Sequence, residues 1–334
     1  MRLNYGKCQH FRPNLALRRL SRMASAFTMR FWVAVDRCWS GNGANGDSGE
    51  KTGMQTKVDQ GIVSRNVAIA LKEDLGDGDI SAALVPQLGI VTARVLCREQ
   101  AVLCGISWFD ETMRQVDPAI EVEWHFSDGD LIKANSVICQ LRGHANSLLS
   151  AERCALNFLQ TLSATATMTR HYVDAMGSSH CRILDTRKTI PGLRRAQKYA
   201  VLCGGGHNHR IGLFDAILLK ENHIIALGSV KKAVQKAKSQ FPQHMVEIEV
   251  ETVDQLKQAI EAGADRALLD NMDLPLLREC VKLAQKSIEL EASGGVSLDT
   301  IAAIAATGVD FVSVGNLTKN IQAVDLSMRF DSND

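Results

Sequence analysis

The stretch VEIEVETVDQLKQAIEAGADRALLDN, Val246 to Asn271, decides the architecture. It opens on the run Val246–Val250, in which apolar and acidic residues alternate with the period of a strand. Val253, Leu256 and Ile260 then recur at helical spacing, Gly263 breaks the pattern, and Ala267–Leu269 forms a second apolar run. Strand, helix and strand at this pace predict a βα unit of a parallel sheet. Outward from it, the runs Arg182–Leu184, Ala216–Leu219, Ile288–Leu290 and Phe311–Val314 read as further strands. Helical periods lie at Val230, Ala233, Val234 and Ala237, and at Leu298, Ile301, Ala302 and Ala305 within a helix over Ser297–Thr307. Six such units, punctuated by Gly263, Gly295 and Gly308, predict a closed or nearly closed α/β barrel. No GxGxxG follows the first strand, which argues against a dinucleotide fold.

The chain before the barrel reads differently. A helix capped by Ser64 carries Val67, Ala70 and Leu71 on one face and ends at the GDGD turn, Gly76–Asp79. Strands are expected at Val91–Cys97, Ala101–Ile106, Ile120–Trp124 and Val137–Leu141, a helix at Trp108–Val116, and a long helical region from Leu148 to Ala175. With 334 residues the chain can bury one large core or two ordinary ones. The division expected is an extension over residues 1–55, an α+β domain over 56–165, a barrel over 166–322, and a tail over 323–334 that packs on the α+β domain. The extension holds Arg2, Lys7, Arg12, Arg18, Arg19, Arg22, Arg30 and Arg37 with few acids. It reads either as a transit peptide or as upstream sequence ahead of a start at Met54.

Composition narrows the function classes. A formal net charge of +1 gives no general basic surface, so nucleic acid is not an expected partner. Nine cysteines without a CxxC pair predict buried thiols in a reducing cytoplasm, not disulfides or a zinc site. No apolar run approaches the roughly 20 residues that span a bilayer, so no membrane association is expected. Against this neutral background, cations crowd LDTRKTIPGLR, Leu184–Arg194, and GGGHNHRIGLFDAILLKENH, Gly204–His223. They sit at strand ends. The other strands exit into Glu249 and Glu251, Asp270–Asn271, Ser293–Gly295 and Gly315–Thr318. Barrel enzymes gather their catalytic groups at this rim, and this one is built to hold several negative charges at once.

DTRKTIPGLR, GGGHNHR, GLFDAILLKENH, EIEVET, LLDN and EASGG, in that order, resemble quinolinate phosphoribosyltransferase, also called nicotinate-nucleotide pyrophosphorylase (carboxylating). The resemblance runs from about Val63, through ALKEDLGDGDIS, to the C-terminus. It implies an incomplete, TIM-like α/β barrel of the type II phosphoribosyltransferases with an α+β N-terminal domain. It implies transfer of phosphoribosyl from phosphoribosyl pyrophosphate to quinolinate with decarboxylation, a step of NAD biosynthesis. It also implies Mg2+ as cofactor and a homodimer, or a higher assembly of dimers, in which each site borrows residues from the partner. By the same resemblance Arg187, Lys188, His209, Arg210 and Lys220 hold quinolinate, with Arg153 of AERCALNF reaching in from the other subunit. Glu249 and Asp270 are the acids expected near the ribose and the Mg2+, and Lys188 and Lys220 complete the catalytic set.

These residue types suit that chemistry on physical grounds. Quinolinate is a dicarboxylate, and the planar fork of arginine matches a carboxylate. A hard cation bridged by one or two carboxylates and by phosphates is the usual magnesium arrangement. Strand parity places Glu247, Glu249 and Glu251 on one face and leaves a choice among them; the motif position favours Glu249. Ser293, Gly294, Gly295 and Gly315 follow late strands and are expected to hold the 5′-phosphate through backbone N–H groups. Gly204–Gly206 reads as a tight backbone path, and His207 and His223 lack partners at metal-ligand spacing. One departure stands out: Thr318 is followed by Lys319 where the family commonly has histidine. Rival readings are a paralogous phosphoribosyltransferase with another acceptor and a non-catalytic binding protein on the same scaffold. Each would be expected to have lost some of these residues.

Overall fold

The computed structural model describes residues 58–84 and 89–331; the extension predicted over residues 1–55 lies outside them. Helix α1 (Gln60–Leu75) begins before the predicted cap, because the Asp59 carboxylate accepts from Gly61 N and Ile62 N at 2.9 and 3.3 Å. Ser64 lies inside the helix, where its hydroxyl and carbonyl accept from Gln115 Nε2. There follow β1 (Ile90–Cys97), β2 (Ala101–Val102), α2 (Ile106–Val116), β3 (Glu121–Trp124), β4 (Leu131–Ile132) and β5 (Ser136–His144). The strand predicted across Ala101–Ile106 stops early. Gly105 turns the chain with φ 117, and Asp128 accepts from Gly105 N and Ile106 N to start α2.

Helix α3 (Ala145–Met176) runs without a break across the position 165–166 at which the sequence reading divides the chain. One side of it buries Leu148, Ala151, Ala155 and Leu159 against the first sheet. Another buries Cys154, Phe158, Leu162 and Ala166 with Val63, Val67 and Leu71 of α1. A rigid shared helix therefore joins the two parts in place of a linker.

Beyond α3 the elements alternate: β6 (Arg182–Leu184), α4 (Arg194–Cys203), β7 (Ile217–Leu219), α5 (Glu221–Leu227), α6 (Val230–Gln240), β8 (Val246–Val250) and α7 (Val253–Ala262). They continue through β9 (Arg266–Asp270), α8 (Leu274–Ala284), β10 (Glu289–Ser293), α9 (Ile301–Ala305), β11 (Phe311–Ser313), α10 (Asn316–Lys319) and β12 (Leu326–Phe330). Helix α9 is shorter than the predicted Ser297–Thr307, because Ser297 and Thr300 bond to each other in a turn of their own before it. Strand β12 returns to the first part of the chain, pairing antiparallel with β1 in a sheet ordered β12-β1-β5-β3.

Strands β6 to β11 form one parallel sheet in the order β6-β11-β10-β9-β8-β7. The two strands adjacent in sequence, β6 and β7, are its two edges, so the barrel is incomplete and open between them. Ile183, Val246, Ile248, Val250, Ala267, Leu269, Leu290, Ala292 and Val312 pack outward with Val234, Leu256, Leu277 and Ile301 of the helices into one core. Residues of the opposite parity face inward. The register sets Glu247 beside Arg266, and Glu249 and Glu291 on either side of Leu268. Several inward positions of these buried strands are therefore charged, among them Glu247, Arg266 and Glu291, and the barrel lining is partly polar.

Candidate active site

The chain leaves β6 as Asp185-Thr186-Arg187-Lys188 and returns to its side after α4. His207 N donates to Ile183 O at 2.8 Å and Asp185 N to His207 O at 3.1 Å, making a short parallel rung along the barrel opening. Glycine is required on the way in. A Cβ on Gly204 would lie 2.4 Å from Ala166 O, and one on Gly206 would lie 2.8 Å from the Thr169 and Val201 side chains. This agrees with a tight path at Gly204–Gly206.

The rung is anchored by a buried ion pair. Asp185 is fully buried and accepts from Lys198 Nζ and, at 2.9 Å, from His209 N; Lys198 Nζ also donates to His209 O at 2.8 Å. With its amide nitrogen turned toward them, Asn208 donates to Asp185 Oδ2 at 2.6 Å and to Lys198 O at 2.9 Å. Burial pushes the Asp185 carboxyl up to about 6 even beside Lys198, and lowers the lysine in turn. Both backbone groups of His209 are thus immobilised.

Arg187, Lys188 and Lys220 are exposed at the mouth, and Arg210 is half-buried, with Nη1 donating to Ala216 O at 3.1 Å. Burial, then the charge of Arg187, lowers the Arg210 guanidinium from its usual value. Lys220 Nζ lies 2.9 Å from Glu249 Oε2. Of the three acids left open by parity, Glu249 stands at the mouth with Lys220, Glu251 is exposed, and Glu247 is fully buried below. His209 differs from its neighbours. It is buried, its Nδ1 accepts from Arg210 N at 2.7 Å, and its Nε2 lies 2.9 Å from Glu247 Oε2 and 3.5 Å from Glu291 Oε2. Burial lowers its pKa and so favours the neutral ring, whose proton sits on Nε2 because Nδ1 accepts, where the sequence reading expected a cation.

On the other side of the mouth lies a polar cavity of about 420 Å³ at the ends of β6, β9, β10 and β11. Lys188, Asp270, Ser293, Gly294, Gly315 and Lys319 are among its lining residues. Gly294 has φ +98, and a Cβ there would lie 2.0 Å from Asn271 Oδ1, so the loop after β10 requires glycine. Lys188 bends over Gly315, its Cδ 3.2 Å from where a Cβ would stand. Thr318 Oγ1 donates to Lys188 O at 2.8 Å, and Lys319 adds a second cation to the cavity. The Asp270 carboxylate accepts from Asn271 Nδ2 at 2.8 Å. His223, in contrast, serves its own helix: its Nδ1 accepts from Lys220 N at 3.0 Å.

The barrel mouth thus gathers Arg187, Lys188, His209, Arg210, Lys220, Glu249, Asp270, Ser293–Gly295 and Gly315. Arg153 does not join them through any ion pair: it stands on α3, its side chain 58% exposed, with Glu152 at 4.0 Å as its ion-pair partner among the described residues. Asp185, Lys198, Glu291 and Arg266 escaped the sequence reading as site residues. Glu291 had a legible signal, since it shares the phase of Ser293 on β10; the others reveal their role only by what they touch.

Residues 165–329 match the family model for the quinolinate phosphoribosyl transferase C-terminal domain, and residues 79–163 match that for its N-terminal domain. The chain belongs to the quinolinate phosphoribosyltransferase family. Within this family it is 42% identical over 258 residues to a probable nicotinate-nucleotide pyrophosphorylase [carboxylating] of Bacillus subtilis, covering 77% of this chain and 89% of that protein. It is 40% identical to the chloroplastic nicotinate-nucleotide pyrophosphorylase [carboxylating] of Oryza sativa, over 80% of this chain and 77% of the other. The solved nicotinate-nucleotide pyrophosphorylase of Francisella tularensis superposes with a TM-score of 0.81 at 48% identity, over 82% of this chain and 98% of that one. The family's incomplete barrel with a separate N-terminal part is the fold described above.

Proposed function

We propose that this family member transfers the phosphoribosyl group of phosphoribosyl pyrophosphate to quinolinate with decarboxylation, giving nicotinate mononucleotide, pyrophosphate and carbon dioxide in NAD biosynthesis. One observation carries the reading: a single mouth divides into a cationic half and a glycine-lined half, with Glu249 and Asp270 on strands between them. Arg187, Arg210 and Lys220 suit a dicarboxylate. Lys188, Lys319 and the backbone of Ser293–Gly295 and Gly315 suit phosphate oxygens.

In the mechanism proposed, Glu249 and Asp270 hold the ribose while Lys188 and Lys319 offset the charge of the departing pyrophosphate. Positive charge then grows on the sugar ring beside the two acids, and the pyridine nitrogen held by the cationic half attacks C1. Alkylation leaves the ring electron-poor. The adjacent carboxylate departs as carbon dioxide, its bonding pair stays on the ring carbon, and that carbon takes a proton from solvent. No protein nucleophile is needed; positioning and preorganised charge supply the rate. Glu249 and Asp270 offer only oxygen donors and stand partly exposed, which fits Mg2+. When bound there with pyrophosphate, Mg2+ adds charge neutralisation to the leaving group.

We further propose a homodimer in which Arg153 of the partner's α3 completes the cationic half; its exposure on α3 supports this. The cytoplasm is the proposed compartment, and no helix among the described residues is long and apolar enough to cross a membrane. The deciding assay supplies phosphoribosyl pyrophosphate, Mg2+ and either quinolinate or nicotinate, and follows nucleotide and carbon dioxide. Quinolinate should turn over and nicotinate should not, since a missing carboxylate leaves cations unpaired. Comparable turnover of nicotinate overturns the assignment.

A further inference from the structure

Beneath the mouth, four elements converge inside the barrel. Glu247 on β8 and Glu291 on β10 are fully buried, and their four carboxylate oxygens make no well-aligned hydrogen bond among the described residues, so short charge contacts carry their interactions. His209 Nε2 approaches both acids, at 2.9 and 3.5 Å. Arg266 Nη1 lies 3.5 Å from Glu291 Oε2, but Arg266 is already engaged: Nη2 lies 2.8 Å from Glu289 Oε2, and its guanidinium stacks 3.9 Å above the Phe311 ring. Two desolvated acids sharing part of one guanidinium are a poor way to stabilise a barrel. Apolar residues of similar size would commonly do as well or better. Such an arrangement calls for a role other than stability.

His209 indicates that role. Its backbone N and O are tied to Asp185 and Lys198, so only the ring can turn, and what faces the ring edge from below is the pair of acids. Arg210 follows directly, with its backbone N on His209 Nδ1. A metal ion does not explain the cluster. Nδ1 accepts a hydrogen bond, so Nε2 carries the proton, and it cannot at the same time offer a lone pair to a cation. A carboxylate is the natural partner for such an N–H.

We propose that Glu247 and Glu291 are positioning residues for the acceptor: from inside the barrel they hold the His209 imidazole, and with it the Arg210 turn, at the height where a carboxylate of the incoming pyridine meets them. This rests on the placement of quinolinate at Arg187, His209 and Arg210. The two acids do not touch substrate; they set the geometry of the groups that do. Disturbing them should weaken acceptor binding and leave the phosphoribosyl half, across the mouth, as it was.

The test measures both Michaelis constants of the full-length protein for Glu247→Leu and Glu247→Gln, with Arg187→Ala as the control for acceptor placement. Glu247→Leu should raise KM for quinolinate about tenfold or more and leave KM for phosphoribosyl pyrophosphate within about twofold. Glu247→Gln keeps an acceptor oxygen and should recover most of the loss. Nitrogen-15 NMR of the His209 ring should report one tautomer, protonated on Nε2, in the wild type and in the glutamine variant, and a mixture in Glu247→Leu. An unchanged quinolinate KM in a folded Glu247→Leu protein overturns the proposal, as does an equal rise in both constants. If Glu247→Leu does not fold, Glu291→Gln and the wild-type NMR decide: a His209 ring without a fixed tautomer sinks the idea. If Arg187→Ala leaves the quinolinate KM unmoved, acceptor placement fails, while the tautomer result still stands for or against the acids.

Discussion

The rim and the floor of the barrel hold charge in opposite ways. At the rim, Arg187, Lys188 and Lys220 are exposed on residues that follow strand ends, so water solvates them until substrate arrives. On the floor, Asp185, Lys198, Glu247 and Glu291 are buried, and every one of them must be answered by protein. Surface charges contribute little to stability, and removing one partner of a buried pair costs several kcal/mol. The rim is therefore free to be selected for the ligand, and the floor carries the energetic consequences of holding it in place. Variants should divide accordingly. Rim changes should alter kinetics at nearly constant stability, and floor changes should move both.

The strongest challenge to this contrast is Asp185→Ala. It strips Lys198 and His209 N of their acceptor and leaves a buried ammonium unpaired, which should destabilise the fold by about 3–5 kcal/mol. Urea unfolding of this variant beside Arg187→Ala is the measurement; equal stabilities for the two would erase the distinction between rim and floor.

The rim is sharpened next, by asking whether one chain supplies all of it. Arg153→Ala and Glu249→Ala homodimers should each be nearly inactive. Mixed in equal amounts after dissociation and reassociation, about half the dimers are hybrids, each with one site free of lesions, so about a quarter of wild-type activity should return. Recovery no better than that of the separate variants, with exchange of subunits verified, would place Arg153 in its own chain's site.

The smallest expected effect concerns Glu291. Burial, aided by the neighbouring Glu247, pushes its carboxyl from 4.5 up to about 8. The folded state then holds a proton that the unfolded chain releases, so this contribution to stability is fully present below about 4.5 and lost as pH rises to about 8. Thermal midpoints of the wild type should fall relative to those of Glu291→Gln between pH 5 and pH 9. Parallel curves would show that the floor does not titrate as described.

The two regions also differed in legibility. Strands β8 to β10 were readable because outward apolar residues recur at every second position, and the rim was readable because polar residues follow where those runs end. Register across strands was not readable. Parity put Glu247, Glu249 and Glu251 on one face, but their heights in the barrel followed only from pairing with β9 and from contacts with His209 and Lys220. Helix starts failed in a similar way. Asp59 and Ser64 are equally good caps by residue type, and α1 takes the one whose carboxylate reaches two free N–H groups.

By itself the sequence determined the alternation of strand and helix, a closed or nearly closed barrel, the kinds of side chain gathered at the mouth, and the motifs whose resemblance implied the family and its incomplete barrel. These are local properties of periodicity, turn residues and residue type. Tertiary structure alone decided that the strand order opens between β6 and β7, that residues 207–210 line that opening, and that the His209 ring is buried against two buried acids. The reason is burial. Desolvation and contact between segments far apart in the chain set the charge and orientation of a side chain, and neither is a property of the residue's neighbours in sequence.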